Sequence, residues 1–252
     1  MFSVSRVLVA GIACGAAGCR PTSSPEPPVP ASVSNGVEAA NSDGSRSPSE
    51  QLVALHQAEV RVLESLTLPR GFVVAYGYGR SDDTPHTAPC PTLGLARFDD
   101  DGALISHEDI DERCVASVEH FGLHDLSPRA SADLVLIAAF EVAGTRRDGS
   151  QGITETSSDL HIYTTEGPAL RSLAAIEFDE EFENGDCPYG RRRVLVKGPD
   201  HALELYEQNW NRCAEKDYPV DRLRAEWDDA DGWRQPEYED WEGTRMPPSS
   251  LR

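Results

Sequence analysis

The residues with the clearest capacity for chemistry lie between His120 and Phe140, where an oxygen-rich loop runs into the most apolar segment beyond the N-terminal region. Asp125, Ser127, Arg129 and Asp133 occupy positions 1, 3, 5 and 9 of an Asp-x-Asp-x-Asp-Gly-x-x-Asp pattern. That spacing lets alternate side chains converge on one hard cation, which takes oxygen ligands. Only the two outer carboxylates are present, since Arg129 holds the fifth position and Ala130 replaces the glycine. The expectation is weak calcium binding or none. Instead, the Arg129 guanidinium would sit between Asp125 and Asp133 and donate to both.

Other chemistry is thinner. His120 and His124, with Asp125 adjacent, come nearest to a transition-metal pair, but a spacing of four joins two imidazoles on one ion when they lie on a helix. This stretch reads as strand and loop, so the two are taken as surface histidines. The chain has no Gly-x-Ser-x-Gly elbow, no His-Glu-x-x-His and no glycine-rich phosphate loop. Trp210, Trp227, Trp233, Tyr238 and Trp241 cluster late in the chain. From an outer sheet face they can stack on sugar rings or on a partner; in a core they serve as packing and cross-strand pairs. No catalytic residue and no organic cofactor is assigned.

Mainly β elements must position these residues. Ser47-Pro48-Ser49-Glu50 has the pattern of a capping box with proline at the first helical position. Leu52, Leu55, Val62, Leu63 and Leu66 continue at helical spacing until Pro69 and Gly71, which predicts a single N-terminal helix. From Gly71 the period becomes that of strands. A strand over 71–78 is followed by four hairpins with Asp, Gly or Pro turns: 93–107, 160–178, 194–206 and 223–233. About nine or ten strands in antiparallel meander order are expected, as a β-sandwich or an incomplete propeller-like array. Phe121-Gly122, the Asp125–Asp133 loop and Leu134-Val135-Leu136 together resemble the FG-GAP, integrin-type repeats of β-propellers, which would imply blades carrying calcium loops. The uneven hairpin starts argue against a closed propeller.

Charge and cysteine content narrow the setting. The formal net charge of −20 argues against nucleic acid as a partner, since a polyanion would meet general repulsion, and the one basic run, Arg191-Arg192-Arg193, heads an apparent strand. The acidic runs Asp99–Asp101 and Asp179–Glu181 read as solvated turns. Four cysteines remain after Cys19, in two pairs separated by 24 and 26 positions. Of three possible connectivities, Cys90–Cys114 and Cys187–Cys213 each close one short excursion, worth about 3–4 kcal/mol per bridge in the chain-entropy model. Without a Cys-x-x-Cys, zinc is a poor second use.

The N-terminus completes the organisation. Arg6, an apolar run from Val7 to Ala17 and then Gly18-Cys19 have the layout of a secretory signal, and the run is too short to span a bilayer. Ala16-Ala17-Gly18-Cys19 resembles a bacterial lipobox, which implies cleavage after residue 18 and lipidation of Cys19; Cys14 is the alternative site. Arg20, rather than aspartate, resembles the sorting pattern for the outer membrane of Gram-negative bacteria. Residues 19–47 are Pro/Ser/Ala/Gly-rich and cannot bury enough surface to fold, so they form a tether on the order of 30 Å root-mean-square. Residues 48–252 form one disulfide-stapled β-rich domain. Two functions fit: a non-catalytic envelope lipoprotein that binds an envelope protein or polysaccharide, or an extracytoplasmic hydrolase with a carboxylate/His site, possibly calcium-supported.

Overall fold

The computed structural model describes residues 46–79, 91–111, 113–145, 149, 151–183, 187–214 and 218–251. The signal segment 1–18, Cys19, all but the last two tether residues and Cys90 lie outside the described residues.

Helix α1 (Pro48–His56) starts as the capping box requires: the Glu50 amide donates to Ser47 Oγ at 3.3 Å, and the Ser47 amide donates to Glu50 Oε2 at 2.7 Å. It ends ten residues before Leu66, where the apolar spacing had placed its end. Gln57 takes the left-handed conformation (φ 51°), and Val60 to Leu66 join strand β1 (Glu59–Thr67). The reason is the hairpin. Pro69 and Gly71, which read as helix stops, form the turn into β2 (Phe72–Gly79), with the Leu68 amide on the Gly71 carbonyl. Pairing with β2 gives the backbone of Val60 and Val62 ladder partners, and β-branched residues suit the pleat.

Strands β3 (Thr92–Phe98) and β4 (Leu104–Asp111) complete a four-stranded antiparallel sheet in the order β1-β2-β3-β4. An eight-stranded sheet follows: β5 (Cys114–His124), β6 (Asp133–Thr145), β7 (Gln151–Thr164), β8 (Arg171–Phe182), β9 (Tyr189–Lys197), β10 (Leu203–Asn211) and β11 (Val220–Ala225), with β14 (Glu237–Glu239) pairing β11 at the far edge. The ribbon β12 (Trp227–Asp228) and β13 (Gly232–Trp233) stands apart. Three of the four expected hairpins form; of the fourth, 223–233, only Trp227–Asp228 and Gly232–Trp233 pair, because Leu223–Ala225 are taken into β11 of the large sheet. Among the described residues the fold is mainly β, antiparallel, with one α-helix and no closed barrel. The strand number, fourteen among the described residues, exceeds nine or ten because β1 replaces helix and three strands are only two or three residues long.

Three apolar layers hold these elements. Leu52 of α1 covers Val74, Tyr76, Ala96 and Phe98 on the outer face of the small sheet. The inner face, with Val73, Ala75, Leu93 and Leu95, packs on Leu134, Leu136, Ala138 and Phe140 of β6 and Tyr163 of β7. Val135, Ile137, Leu160 and Ile162 face the other way, into a cluster completed by β8 to β11 and capped by Trp233. Among the described residues no helix is long and apolar enough to cross a membrane.

One polar clasp lies where the chain crosses between the sheets. Arg113, between β4 and β5, pairs with Asp111 at 2.7 Å, with Asp159 and with Ser157, and its guanidinium lies 4.4 Å from the centre of the Phe140 ring. His161, beside Asp159 on this face of β7, is 93% buried and its Nε2 has no hydrogen-bond partner. Burial lowers its pKa from 6.5 to about 4, with Asp111 opposing. A folded-state pKa below the unfolded value means that the unfolded chain alone takes up the proton as pH falls through 6.5. His161 should therefore cost up to about 3 kcal/mol of stability by pH 4 and nothing above pH 7. Urea unfolding of the native protein and His161→Leu at pH 7 and pH 4.5 checks this: the variant should lose clearly less stability on acidification, and equal losses would contradict it.

Candidate functional site

An open groove of about 610 Å³ crosses the large sheet from β5 to β10. Two bulges shape it. One in β5, between Val118 and His120, sets Glu119 outside the regular ladder; the other lies between β7 and β8 at Ser158/Asp159. Bulges re-aim side chains and increase local twist. β8 supplies Asp179, Glu180 and Glu181, β9 supplies Arg191 and Arg192, and β10 supplies Trp210, opposite Gly190 and next to its last residue, Asn211. The disulfide Cys187–Cys213 ties the segments just outside β9 and β10, and the Arg212 amide donates to the Pro188 carbonyl at 3.0 Å. Trp210 and Arg212 are thus carried on a crosslinked end.

The groove is polar on both signs. Asp179 accepts the Arg193 amide at 2.5 Å, yet burial, reinforced by Glu119, raises its carboxyl pKa. Glu180 is also raised, first by burial and then by Glu177, with Arg191 opposing. Arg191 pairs with Glu177 at 2.7 Å and Glu180 at 3.6 Å. Behind them Arg193 pairs with Glu207 at 2.6 Å, and the Tyr238 hydroxyl donates to Glu207 at 3.1 Å. A well-buried pair of this kind holds its geometry because removing one partner strands the other charge. The surface can therefore offer hydrogen bonds of both kinds beside an aromatic ring, the composition that polar ligands require. Asp179 to Glu181 form part of a strand, not the solvated turn that their charge suggests. The compensating signal was in the sequence: Arg191 faces Glu180 in register.

The sequence-assigned residues separate. Trp210 alone among the four tryptophans lines the groove. Trp227 and Trp233 stack edge-on at 4.8 Å, and Trp233 Nε1 donates to the His201 carbonyl. Trp241 packs on Tyr206 at 5.0 Å, with Arg222 over its ring. Tyr238 is 66% exposed. Cys114 is disulfide-bonded; Cys90, its expected partner, lies outside the described residues.

The Asp125–Asp133 loop brings Ser127 to Asp133 but gathers neither Asp125 nor the Arg129 guanidinium with them. Asp133, at 1% exposure, accepts the Ser127 amide at 2.7 Å, the Leu126 amide at 3.3 Å and Ser127 Oγ at 2.9 Å. Asp125 turns outward to Lys197. Arg129 does not bridge the two carboxylates; it pairs with Glu166 at 3.4 Å and lies over the Trp227 ring. The physical reason is that Asp133 is already filled by its own loop, so the guanidinium gains more from an open carboxylate and an aromatic face.

His120 and His124 also depart from expectation. Their Nε2 atoms lie 2.8 Å apart although both are on β5. Positions i and i+4 share a strand face, and Gly122 between them has no side chain to hold the rings apart; a Cβ there would stand 3.2 Å from His120 Nε2. Burial lowers both pKa values.

The described residues thus form a mainly β structure of two larger sheets and a two-stranded ribbon, with a mixed-charge groove on the largest sheet. No protein family, curated protein or solved structure matches the chain.

The two loop carboxylates should behave differently. Asp133→Ala leaves two buried amides unpaired and should cost roughly 2–4 kcal/mol, whereas Asp125→Ala, losing an exposed pair, should change stability by about 0.5 kcal/mol or less. Chemical denaturation of both variants measures the contrast, and similar costs would refute it.

Proposed function

We propose that the protein is an exported envelope lipoprotein, anchored through Cys19, whose β domain binds a polar polymer, most simply an envelope polysaccharide, through the groove beside Trp210. The N-terminal layout and the tether of residues 19–47 support the anchoring. The observation that carries the binding reading is a partly buried tryptophan at the end of β10, set among Asp179, Glu180, Arg191 and Arg192 in an open groove. A sugar polymer presents alternating apolar ring faces and hydroxyls, so it can stack on the indole and hydrogen-bond to both charge types without itself being charged. An open groove suits a chain that passes through rather than a small molecule that is enclosed.

One observation favours a second reading, hydrolysis of such a polymer. Asp179, whose carboxyl pKa burial raises, lies near Glu119, and two neighbouring carboxyl groups are what general acid and base work on a glycosidic bond requires.

Titration of purified envelope polysaccharide against the native protein should give saturable binding. Trp210→Ala should weaken it at least tenfold, about 1.4 kcal/mol, and Trp241→Ala should leave it unchanged. Equal effects of the two substitutions would refute the groove. Release of reducing ends by the native protein, abolished in Asp179→Asn, would replace binding by hydrolysis. Mass spectrometry of the mature N-terminus tests the anchor: a lipidated Cys19 is expected, and an unmodified one refutes it.

A further inference from the structure

A second site lies on the outer face of the small sheet, away from the groove. His107 and Asp109 are alternate residues of β4, so both project from the same face, and both are exposed. His56 is the last residue of α1, which lies over that face. One ligand atom from each of His56, His107 and Asp109 lies within 4.8 Å of the others.

The surroundings hold His56 in place. Its ring stacks on Tyr78 at 3.7 Å, and its Nε2 is 2.8 Å from the Tyr76 hydroxyl. Tyr76, Gly94 and Asp109 form one cross-strand row. Gly94 is a necessity of that row, since a Cβ there would come within 2.3 Å of the Tyr76 ring. The tyrosine thus lies across its neighbour strand, with its hydroxyl fixed on the histidine. Metal-binding imidazoles are held by a hydrogen bond to the other nitrogen in this way, which sets ring orientation before the ion arrives.

We propose that His56, His107 and Asp109 bind a divalent transition-metal ion of the zinc type. Two imidazoles and a carboxylate suit such an ion, in contrast to magnesium or calcium, which take oxygen ligands. Three protein ligands leave a further position open, and the exposure of His107 and Asp109 gives it to water. The ion would join the end of α1 to β4 and so fasten the helix that follows the tether to the small sheet. This site is independent of the groove and of any polymer bound there.

The test is zinc titration of the full-length, untagged protein by calorimetry, with cobalt absorption as the report of coordination. One saturable site is expected, with a rise in melting temperature that chelator reverses. His107→Ala and Asp109→Asn, both at exposed positions, should each weaken zinc at least tenfold while leaving the circular dichroism of the apoprotein unchanged. His56→Ala should weaken zinc at least as much. His120→Ala with His124→Ala should leave affinity unchanged. Absence of saturable binding overturns the proposal, as does binding that survives His107→Ala but is lost with the His120/His124 pair.

Discussion

The structure depends on a strand that is buried on both faces over Leu134–Ala138. β6 directs Leu134, Leu136, Ala138 and Phe140 at the small sheet, and Val135 and Ile137 into the other apolar cluster. Each large apolar side chain so buried contributes about 1.5–3 kcal/mol relative to exposure, and here both sides of one backbone collect it. The register is correspondingly strict. A slip of one residue would exchange the two sets of side chains and present each to a surface shaped for the other. The entry to the strand is held by Asp133, whose carboxylate closes the preceding loop on itself.

Burying both faces creates a problem at the place where the chain leaves the small sheet for the large one. The crossover must carry polar backbone and side chains past an apolar interface, and unpaired polar groups there are costly. Arg113 meets this by reaching Asp111 behind it and Ser157 and Asp159 on β7, with its flat face on Phe140. His161 lies on the same face with an unpartnered nitrogen and stays neutral for the same reason. The clasp also accounts for two carboxylates of opposite behaviour. Asp111 is lowered, its contacts with Arg113 outweighing burial, while Asp159 is raised chiefly by burial despite the same arginine.

The groove and the histidine cluster occupy places that this packing leaves free. The groove forms where bulges and glycine interrupt a long sheet, and the cluster forms where a short helix ends over an edge strand. Glycine serves each differently: Gly94 makes room for the Tyr76 ring, whereas Gly190 lets β9 lie close to β8, since a Cβ there would stand 2.0 Å from the Glu180 carbonyl oxygen. Irregularity in the ladder therefore opens these surfaces while β6 maintains the frame.

Local patterns determined much of this protein. The capping box at Ser47, the hairpins 93–107, 160–178 and 194–206 and the mainly β class were legible because turn chemistry and period-two alternation act within a few residues. The Cys187–Cys213 pairing was legible from separation alone. Other outcomes were decided only by tertiary structure. Val60 to Leu66 carry a helical apolar spacing, yet pairing with β2 outweighs it, because a hairpin supplies backbone partners and a packed face together. Arg129 left the loop for Glu166 and the Trp227 ring, contacts 37 and 98 residues away in sequence that no local motif can announce. His56 and Asp109 likewise meet across 53 residues because α1 folds back over β4, and Trp210 joins Asp179 because β8, β9 and β10 are neighbours in one sheet. Spacing specifies what neighbouring residues can do; which distant side chains share a site is settled by the order and register of strands, a property of the whole chain's packing.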